Sequence, residues 1–288
     1  MSNSIIGFHI RSNGNGKIRK KIEEAIKLKC GYIQMFITKS VSYAKLPFSS
    51  NDLKYYDNNK DKIKIIVHGS YIINLARNWD EFSWWIRLSI HEFNIAKRIN
   101  PYGIVVHMGK RKDLDVNIAL NNMYTSLLYI LNKTKNKKTM LLLETPAGQG
   151  TEICWNIESF GNFYKKILEN FPNDVSNRIK ICIDTCHIFS AGYDIRTNKK
   201  VNLFYKLIDK YIGWINVGLI HLNDSKYKLG SKVDAHVSLG DGYIGWEGIR
   251  AFACLANKHK IPIILETPGT YKKEISIIRN FTKDKNIV

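Results

Sequence analysis

"IKICIDTCHIFSAGYD", Ile179–Asp194, carries five mostly apolar residues directly into Asp184, Cys186 and His187. A short apolar run that stops abruptly at polar residues reads as a buried strand. The chain repeats the device: "IIGFHI", "YIQMF", "IKIIVH", "GIVVH", "TMLLLE", "VGLIHLN" and "IPIILE" complete a set of eight such runs from end to end. Between them lie stretches such as Trp79–Ile99 and Leu114–Asn132, whose apolar residues recur three or four apart and predict helices. No Pro-, Gly- or Ser-rich linker interrupts the alternation. Eight βα units without a composition break predict an α/β chain folded as one domain over residues 1–288, a single closed (β/α)8 TIM barrel. An open doubly wound sheet is the competing architecture. Its glycine fingerprint is missing from the first turn, where "HIRSNGNGKI" has Gly14 and Gly16 but no third glycine in step.

Composition narrows the class of protein. A chain of 288 residues that is 44% hydrophobic can bury a substantial core. Its five cysteines, Cys30, Cys154, Cys182, Cys186 and Cys254, lack the paired spacing of a disulfide framework or a zinc finger, which suggests a reducing, intracellular setting. The opening "MSNSIIGFHI" has no basic leader and no run approaches a membrane span, so a soluble protein that is not secreted is expected. Lys and Arg number 44 against 25 Asp and Glu, and the resulting +19 attracts polyanions, nucleic acid foremost. A Lys-, Ile- and Asn-rich composition of the kind an AT-rich genome produces would give a similar excess, so charge alone does not name the partner.

In a barrel of this kind the working residues sit at the carboxyl ends of the strands and in the loops beyond them. His68, His107, Glu144, Asp184, His221 and Glu266 stand at or near the ends of the runs, as does His9. "DTCH" adds His187, and "SKVDAHVSLG" adds Asp234 and His236, two apart on one side of an extended segment. Singly, each has an ordinary explanation: a strand-end His is usually a satisfied polar residue, and His91 and His259 are assigned that role. Jointly, leaving His9 aside, five His and four carboxylates in one mouth would be electrostatically costly without cations. Imidazole mixed with carboxylate suits zinc, with manganese or iron as less suited occupants. Nine ligands exceed what one tetrahedral ion with an open position can use, so two or three ions are implied. Clustered divalent ions favour in-line displacement at phosphorus, which makes a polyanionic ester the natural substrate. Cys182, inside its strand, reads as a small apolar filler.

Three motifs, "HGSYIINLA" from His68, "CIDTCH" from Cys182 and "HLNDSKYKLGSKVDAH" from His221, give the chain a close, full-length resemblance to the endonuclease IV family of apurinic/apyrimidinic (AP) endonucleases. "ETPAGQG" from Glu144, "SLGDGYIG" from Ser238 and the final "LET" containing Glu266 support it. The resemblance implies three Zn2+ per chain. His68, His107 and Glu144 would hold one, and Glu144 would bridge to a second held by Asp184, His221 and Glu266. His187, Asp234 and His236 would hold the third. It further implies a catalytic role for Glu144 and cleavage of double-stranded DNA 5′ to an abasic site, leaving a 3′ hydroxyl and a 5′ deoxyribose phosphate, with trimming of blocked 3′ ends.

Tyr71 matches the family's tyrosine that enters the minor groove at the lesion, whereas a reading from the residues alone favours a core tyrosine at a helix start. Lys39, Lys110, Lys226 and Lys232, with Arg11, Lys45, Arg111, Lys112 and Lys228 around them, would then face DNA phosphates. "KTKNKK", Lys133–Lys138, precedes a strand and belongs to the opposite rim. The family's arginine wedge would fall near Ser42 and is absent, with Tyr43, Lys39 or Lys45 as substitutes. Met108 stands for a usual proline, and Ala235 and Val237 for Arg and His. A monomer in the cytoplasm or nucleus is expected, a viral factory or virion being a further setting. The competing enzyme is a metal-dependent sugar isomerase or epimerase on the same barrel. His187, Asp234, His236 and the basic rim speak against it, because a small neutral sugar needs neither. A barrel reduced to DNA binding or a virion role would show a missing bridging ligand, and none is missing.

Overall fold

The computed structural model describes residues 4–10, 18–38, 47–134, 139–268 and 271–283. All eight expected runs form the strands of a closed barrel: β1 (Ile6–Ile10), β2 (Tyr32–Phe36), β3 (Lys64–His68), β4 (Gly103–His107), β5 (Met140–Glu144), β6 (Ile179–Asp184), β7 (Val217–His221) and, after a two-stranded antiparallel ribbon of β8 (Asp224–Ser225) and β9 (His236–Val237), β10 (Ile263–Leu265). Every barrel pairing is parallel and follows chain order, with β1 closing the ring between β2 and β10. Helices such as Trp84–Ala96, Val116–Lys133 and Gly245–His259 pack outside. Among the described residues no helix is long and apolar enough to cross a membrane.

The helix expected over Trp79–Ile99 begins at Trp84 instead. Asp80 and Ser83 close a turn on each other, Ser83 Oγ donating to Asp80 Oδ1 at 2.7 Å and Asp80 N to Ser83 Oγ at 3.0 Å, and this local bonding outcompetes the first helical turn. The helix expected from Leu114 starts at Val116, where the Asp115 side chain caps it by accepting from Asn117 N at 2.8 Å.

Strand side chains alternate between the two faces of the barrel wall. Outward-facing residues such as Ile65, Leu141, Leu143, Ile181 and Ile263 join the helices in the main apolar core. Inward-facing Ile66, Val105, Leu142, Cys182, Leu219 and Ile264 plug the lumen, packed against Tyr32, Tyr102 and Met140. Cys182 thus fills the lumen as the sequence suggested, and burial pushes its thiol up to about 12. The next inward position toward the carboxyl end of each of these strands is His68, His107, Glu144, Asp184, His221 and Glu266, respectively. One parity therefore generates both a dry plug and the polar ring above it. His9, two beyond Gly7 on β1, and Gln34, two beyond Tyr32 on β2, complete that ring.

Candidate metal centre

Strand ends deliver six of the candidate ligands, and local hydrogen bonding delivers the rest. Asp184 ends β6 and caps the helix Thr185–Ala191 by accepting His187 N at 3.0 Å, which turns His187 back over the barrel mouth. The segment carrying Asp234 and His236 is pinned to that same helix: Lys232 N donates to Ser190 O at 3.0 Å and Ser190 Oγ to Val233 O at 2.8 Å. Beneath it, Asp224 accepts five backbone N–H groups, from Ser225, Gly240, Gly242, Ile244 and Gly245. These bonds wrap the loop after β9 around one carboxylate. Gly242 has no room for a side chain, since a Cβ would collide with Asp224 Oδ1.

All nine expected residues meet. His68, His107 and Glu144 form one group of potential ligand atoms; Glu144, Asp184, His221 and Glu266 form a second; His187, Asp234 and His236 form a third. Glu144 belongs to two of them. Its Oε2 lies 3.0 Å from His107 Nε2 and 3.7 Å from His68 Nε2, while its Oε1 lies 2.8 Å from His221 Nδ1. Asp234 Oδ1 stands 3.1 Å from His187 Nε2 and 3.2 Å from His236 Nε2. Asp184 Oδ2 links the second and third groups, 3.8 Å from His221 Nδ1 and 3.7 Å from His236 Nε2.

The donor set fits a cluster of cations. His68 Nδ1 lies 2.8 Å from the Gly69 carbonyl, which can only accept, so Nδ1 carries a hydrogen. Its Nε2 then faces His107 Nε2 at 3.3 Å. His187 repeats the arrangement, with Nδ1 2.8 Å from the Thr145 carbonyl and Nε2 turned into the site. Glu144 Oε2 and His187 Nε2 are fully buried and make no well-aligned hydrogen bond among the described residues, although His107 Nε2 and Asp234 Oδ1 stand 3.0 and 3.1 Å away. Buried polar atoms packed this closely, imidazole against carboxylate, cost a protein free energy unless a cation or a proton lies between them. Protons take that place in the bare protein. Burial alone would lower the pKa of His187, His221 and His236, but the surrounding acids reverse it and hold all three well above the ordinary value. Burial would raise Glu266, yet His221 and His68 hold it down at about 2, and Glu144 lies well below its ordinary value by the same opposition. His107 goes the other way, pushed down to about 4 by burial, so its Nε2 lone pair is available to a metal.

Two outer residues, Gln34 and Asn223, were not singled out from the sequence, and a third, His9, was named there only to be set aside. Gln34 donates to Glu266 Oε1 at 2.6 Å and sits 2.8 Å from His221 Nε2 through its carbonyl oxygen. Asn223 donates to Asp184 Oδ2 at 2.7 Å and Glu266 Oε2 at 3.1 Å. His9 Nδ1 stands 3.0 Å from Gln34 Nε2. Barrel parity would have found Gln34, since it shares the inward face with the ligands.

Tyr71 is not a core residue: it is 63% exposed and stands over the mouth, its ring 4.8 Å from that of His68 and 5.2 Å from that of His107. Beside it a cavity of about 320 Å³ is lined by Tyr71, Asn74, Arg77, His107, Lys110 and Asp234. Lys110 lies at this mouth, 3.5 Å from Glu152, and Lys226 is exposed beside Tyr227. Lys232 is engaged, donating to Ala191 O at 3.2 Å with its ammonium 3.1 Å from the centre of the Trp155 ring. Lys39, with Arg11 and the Ser42–Lys45 stretch, lies outside the described residues. His259 stacks on Trp214 at the far end of its helix, away from the site.

Comparison with known proteins agrees with this geometry. Residues 22–281 match the family model described as xylose isomerase-like TIM barrel. The chain is 32% identical to the probable endonuclease 4 of Nitrosopumilus maritimus, covering 91% of this chain and 93% of that one. It is 31% identical to the apurinic-apyrimidinic endonuclease of Caenorhabditis elegans over 98% of this chain and 71% of the relative. The crystal structure of endonuclease IV from Thermus thermophilus superposes with a TM-score of 0.78 at 25% identity, covering 96% and 98% of the two chains. Eight parallel strands, a mouth ringed with His and carboxylates, and relatives alike over nearly the whole chain lead to one assignment: this protein belongs to the endonuclease IV family of xylose isomerase-like TIM barrels.

Proposed function

We propose that the chain is a DNA-repair AP endonuclease that hydrolyses the phosphodiester 5′ to an abasic site in duplex DNA, leaving a 3′ hydroxyl and a 5′ deoxyribose phosphate, and that it also trims blocked 3′ ends. The observation that carries this reading is Glu144, a buried carboxylate shared between two ligand groups, with Oε2 set against His68 Nε2 and His107 Nε2. The residues that would hold the metal are those of the three groups, with Glu144 bridging the first two and Asp184 adjoining the third. Their imidazole and carboxylate donors suit zinc, three ions per chain. Ions bound there supply Lewis-acid activation of water and neutralise charge in an in-line displacement at phosphorus. Glu144 and Asp184 set the spacing of the groups, and the lumen plug below keeps the site closed to bulk water from the barrel interior.

Around this centre, Tyr71 at the mouth wedges into the damaged strand, and the cavity beside it receives the sugar-phosphate next to the lesion. Lys110 and Lys226, with Lys39 and Lys232, draw in the phosphates; Lys232 does so once it is released from the Ala191 carbonyl. The functional unit is a monomer acting inside the cell as one domain. A sugar isomerase reading is less well supported, because a neutral sugar has no use for the third group or for +19 of net charge. The test is a duplex containing one abasic analogue, incubated with the native chain and with Glu144→Gln. Native protein should cut, and the variant should lose more than the ~10–100-fold typical of removing an outer hydrogen bond to a metal ligand. Equal cutting by both would remove Glu144 from the mechanism, and tight binding without cutting by the native chain would favour a DNA-binding role.

A further inference from the structure

We propose that Gln34 is a positioning residue that fixes the tautomer of His221 and the carboxylate plane of Glu266, so that both present the correct atoms to the cation of the second group; the inference rests on the metal-centre reading above. Gln34 is fully buried on β2 and reaches across the mouth to residues on β7 and just beyond β10. Its amide is used completely. The oxygen stands 2.8 Å from His221 Nε2, one N–H is donated to Glu266 Oε1 at 2.6 Å, and the other points to His9 Nδ1 at 3.0 Å. This orientation is the only one the neighbours allow. Turned over, the amide oxygen would lie against a carboxylate oxygen, and the NH2 group would face His221.

An amide oxygen can only accept, so His221 carries a hydrogen on Nε2, and any proton on Nδ1 is the one a cation displaces. That leaves Nδ1 to face Glu144 Oε1 at 2.8 Å, Glu266 Oε2 at 3.3 Å and Asp184 Oδ2 at 3.8 Å, among the other members of the second group. His221 is thereby the odd imidazole of the site. His68 and His187 are oriented by backbone carbonyls on Nδ1 and present Nε2, whereas His221 is oriented on Nε2 and presents Nδ1. Among the described residues no backbone carbonyl holds Nε2 of His221; a side chain from a strand three places round the barrel does. On Glu266 the same amide holds Oε1, while Asn223 fixes the other oxygen, Oε2, at 3.1 Å. Outer hydrogen bonds of this type set ligand orientation and basicity, and their loss costs about 10–100-fold in metal affinity or activity.

Gln34→Met keeps the side-chain length while removing all three hydrogen bonds. Expected is a folded barrel that binds its first and third cations as the native chain does and holds the second about 10–100-fold more weakly in chelator competition. Cleavage of the abasic duplex should fall in kcat with little change in KM, and excess zinc should restore it. Gln34→Glu keeps an acceptor for His221 but sets a second carboxylate against Glu266, so it should retain the His221 tautomer and still lose affinity. A measurement on the native protein is independent of variant folding. In the zinc-loaded chain, 15N spectra of the imidazoles should show His221 protonated on Nε2 and metal-bound through Nδ1. Native metal content below two equivalents would defeat the metal-centre reading itself. Full native loading with unchanged affinity in Gln34→Met, or an Nδ1–H tautomer at His221, would overturn the role of Gln34 alone.

Discussion

Asp224→Asn is a change of one atom, and its consequence can be worked from the geometry. The Asp224 side chain is fully buried; Oδ1 accepts Ser225 N at 2.8 Å and Ile244 N at 2.9 Å, and Oδ2 accepts Gly240 N at 3.0 Å and Gly242 N and Gly245 N at 3.3 Å. An asparagine can present an oxygen to only one of these sets. It will keep Ser225 and Ile244, whose bonds are buried, and turn its NH2 toward the three partly buried glycine donors. Three N–H groups facing a donor, at ~1 kcal/mol each given partial access to water, amount to about 3 kcal/mol. For a chain of 288 residues that lowers the melting temperature by about 5 °C. Because β8 pairs with β9, where Ser225 opposes His236, the slackened loop should also weaken metal binding by the third group. The assay is thermal and urea unfolding of the metal-loaded protein, with the exposed Asp241→Asn as control, expected to stay within about 0.5 kcal/mol. A loss below about 0.5 kcal/mol in Asp224→Asn would show that the carboxylate does not shape this loop.

Metal affinity should rise with pH, because His187, His221 and His236 hold protons in the bare protein that an ion must displace; chelator competition between about pH 6 and pH 8 measures it, and a flat profile would contradict the raised imidazoles. The bare protein should show the opposite trend. Its raised imidazoles contribute stability that is fully present below the unfolded value of about 6.5 and is lost as pH rises through the folded one, so denaturation midpoints without metal should fall with increasing pH. Tyr71→Ala should leave the melting temperature almost unchanged, since the side chain is 63% exposed, while weakening binding to an abasic duplex by about 1–3 kcal/mol. Undiminished binding would remove the wedge. Duplex affinity should fall steeply between ~50 and ~200 mM salt if the +19 charge is spent on phosphates, and a salt-independent Kd would assign that charge elsewhere.

The barrel was legible because each strand is a short apolar run ending in a polar residue, and a period of two carries that end onto the same inner face as the plug below it. Ile66 with His68, and Leu142 with Glu144, illustrate the rule. The convergence of the candidate ligands was legible for the same reason, and "DTCH" and "DAH" for their spacing. Gln34 and Asn223 were less visible because an amide announces nothing by type, and their importance lies in partners on other strands. The engagement of Lys232 was hidden likewise, since it depends on Trp155, a residue from another loop that pairs with the lysine only in the folded chain. Helix starts were misplaced where Asp80 and Asp115 bond their own backbone or a nearby serine, a local competition that apolar periodicity does not register.

Anomalous diffraction at the zinc edge, from crystals of protein purified without chelator, tests the centre most directly. Three peaks are expected: one between His68, His107 and Glu144, one between Glu144, Asp184, His221 and Glu266, and one between His187, Asp234 and His236. Fewer than two peaks, or peaks away from Glu144, would contradict the account.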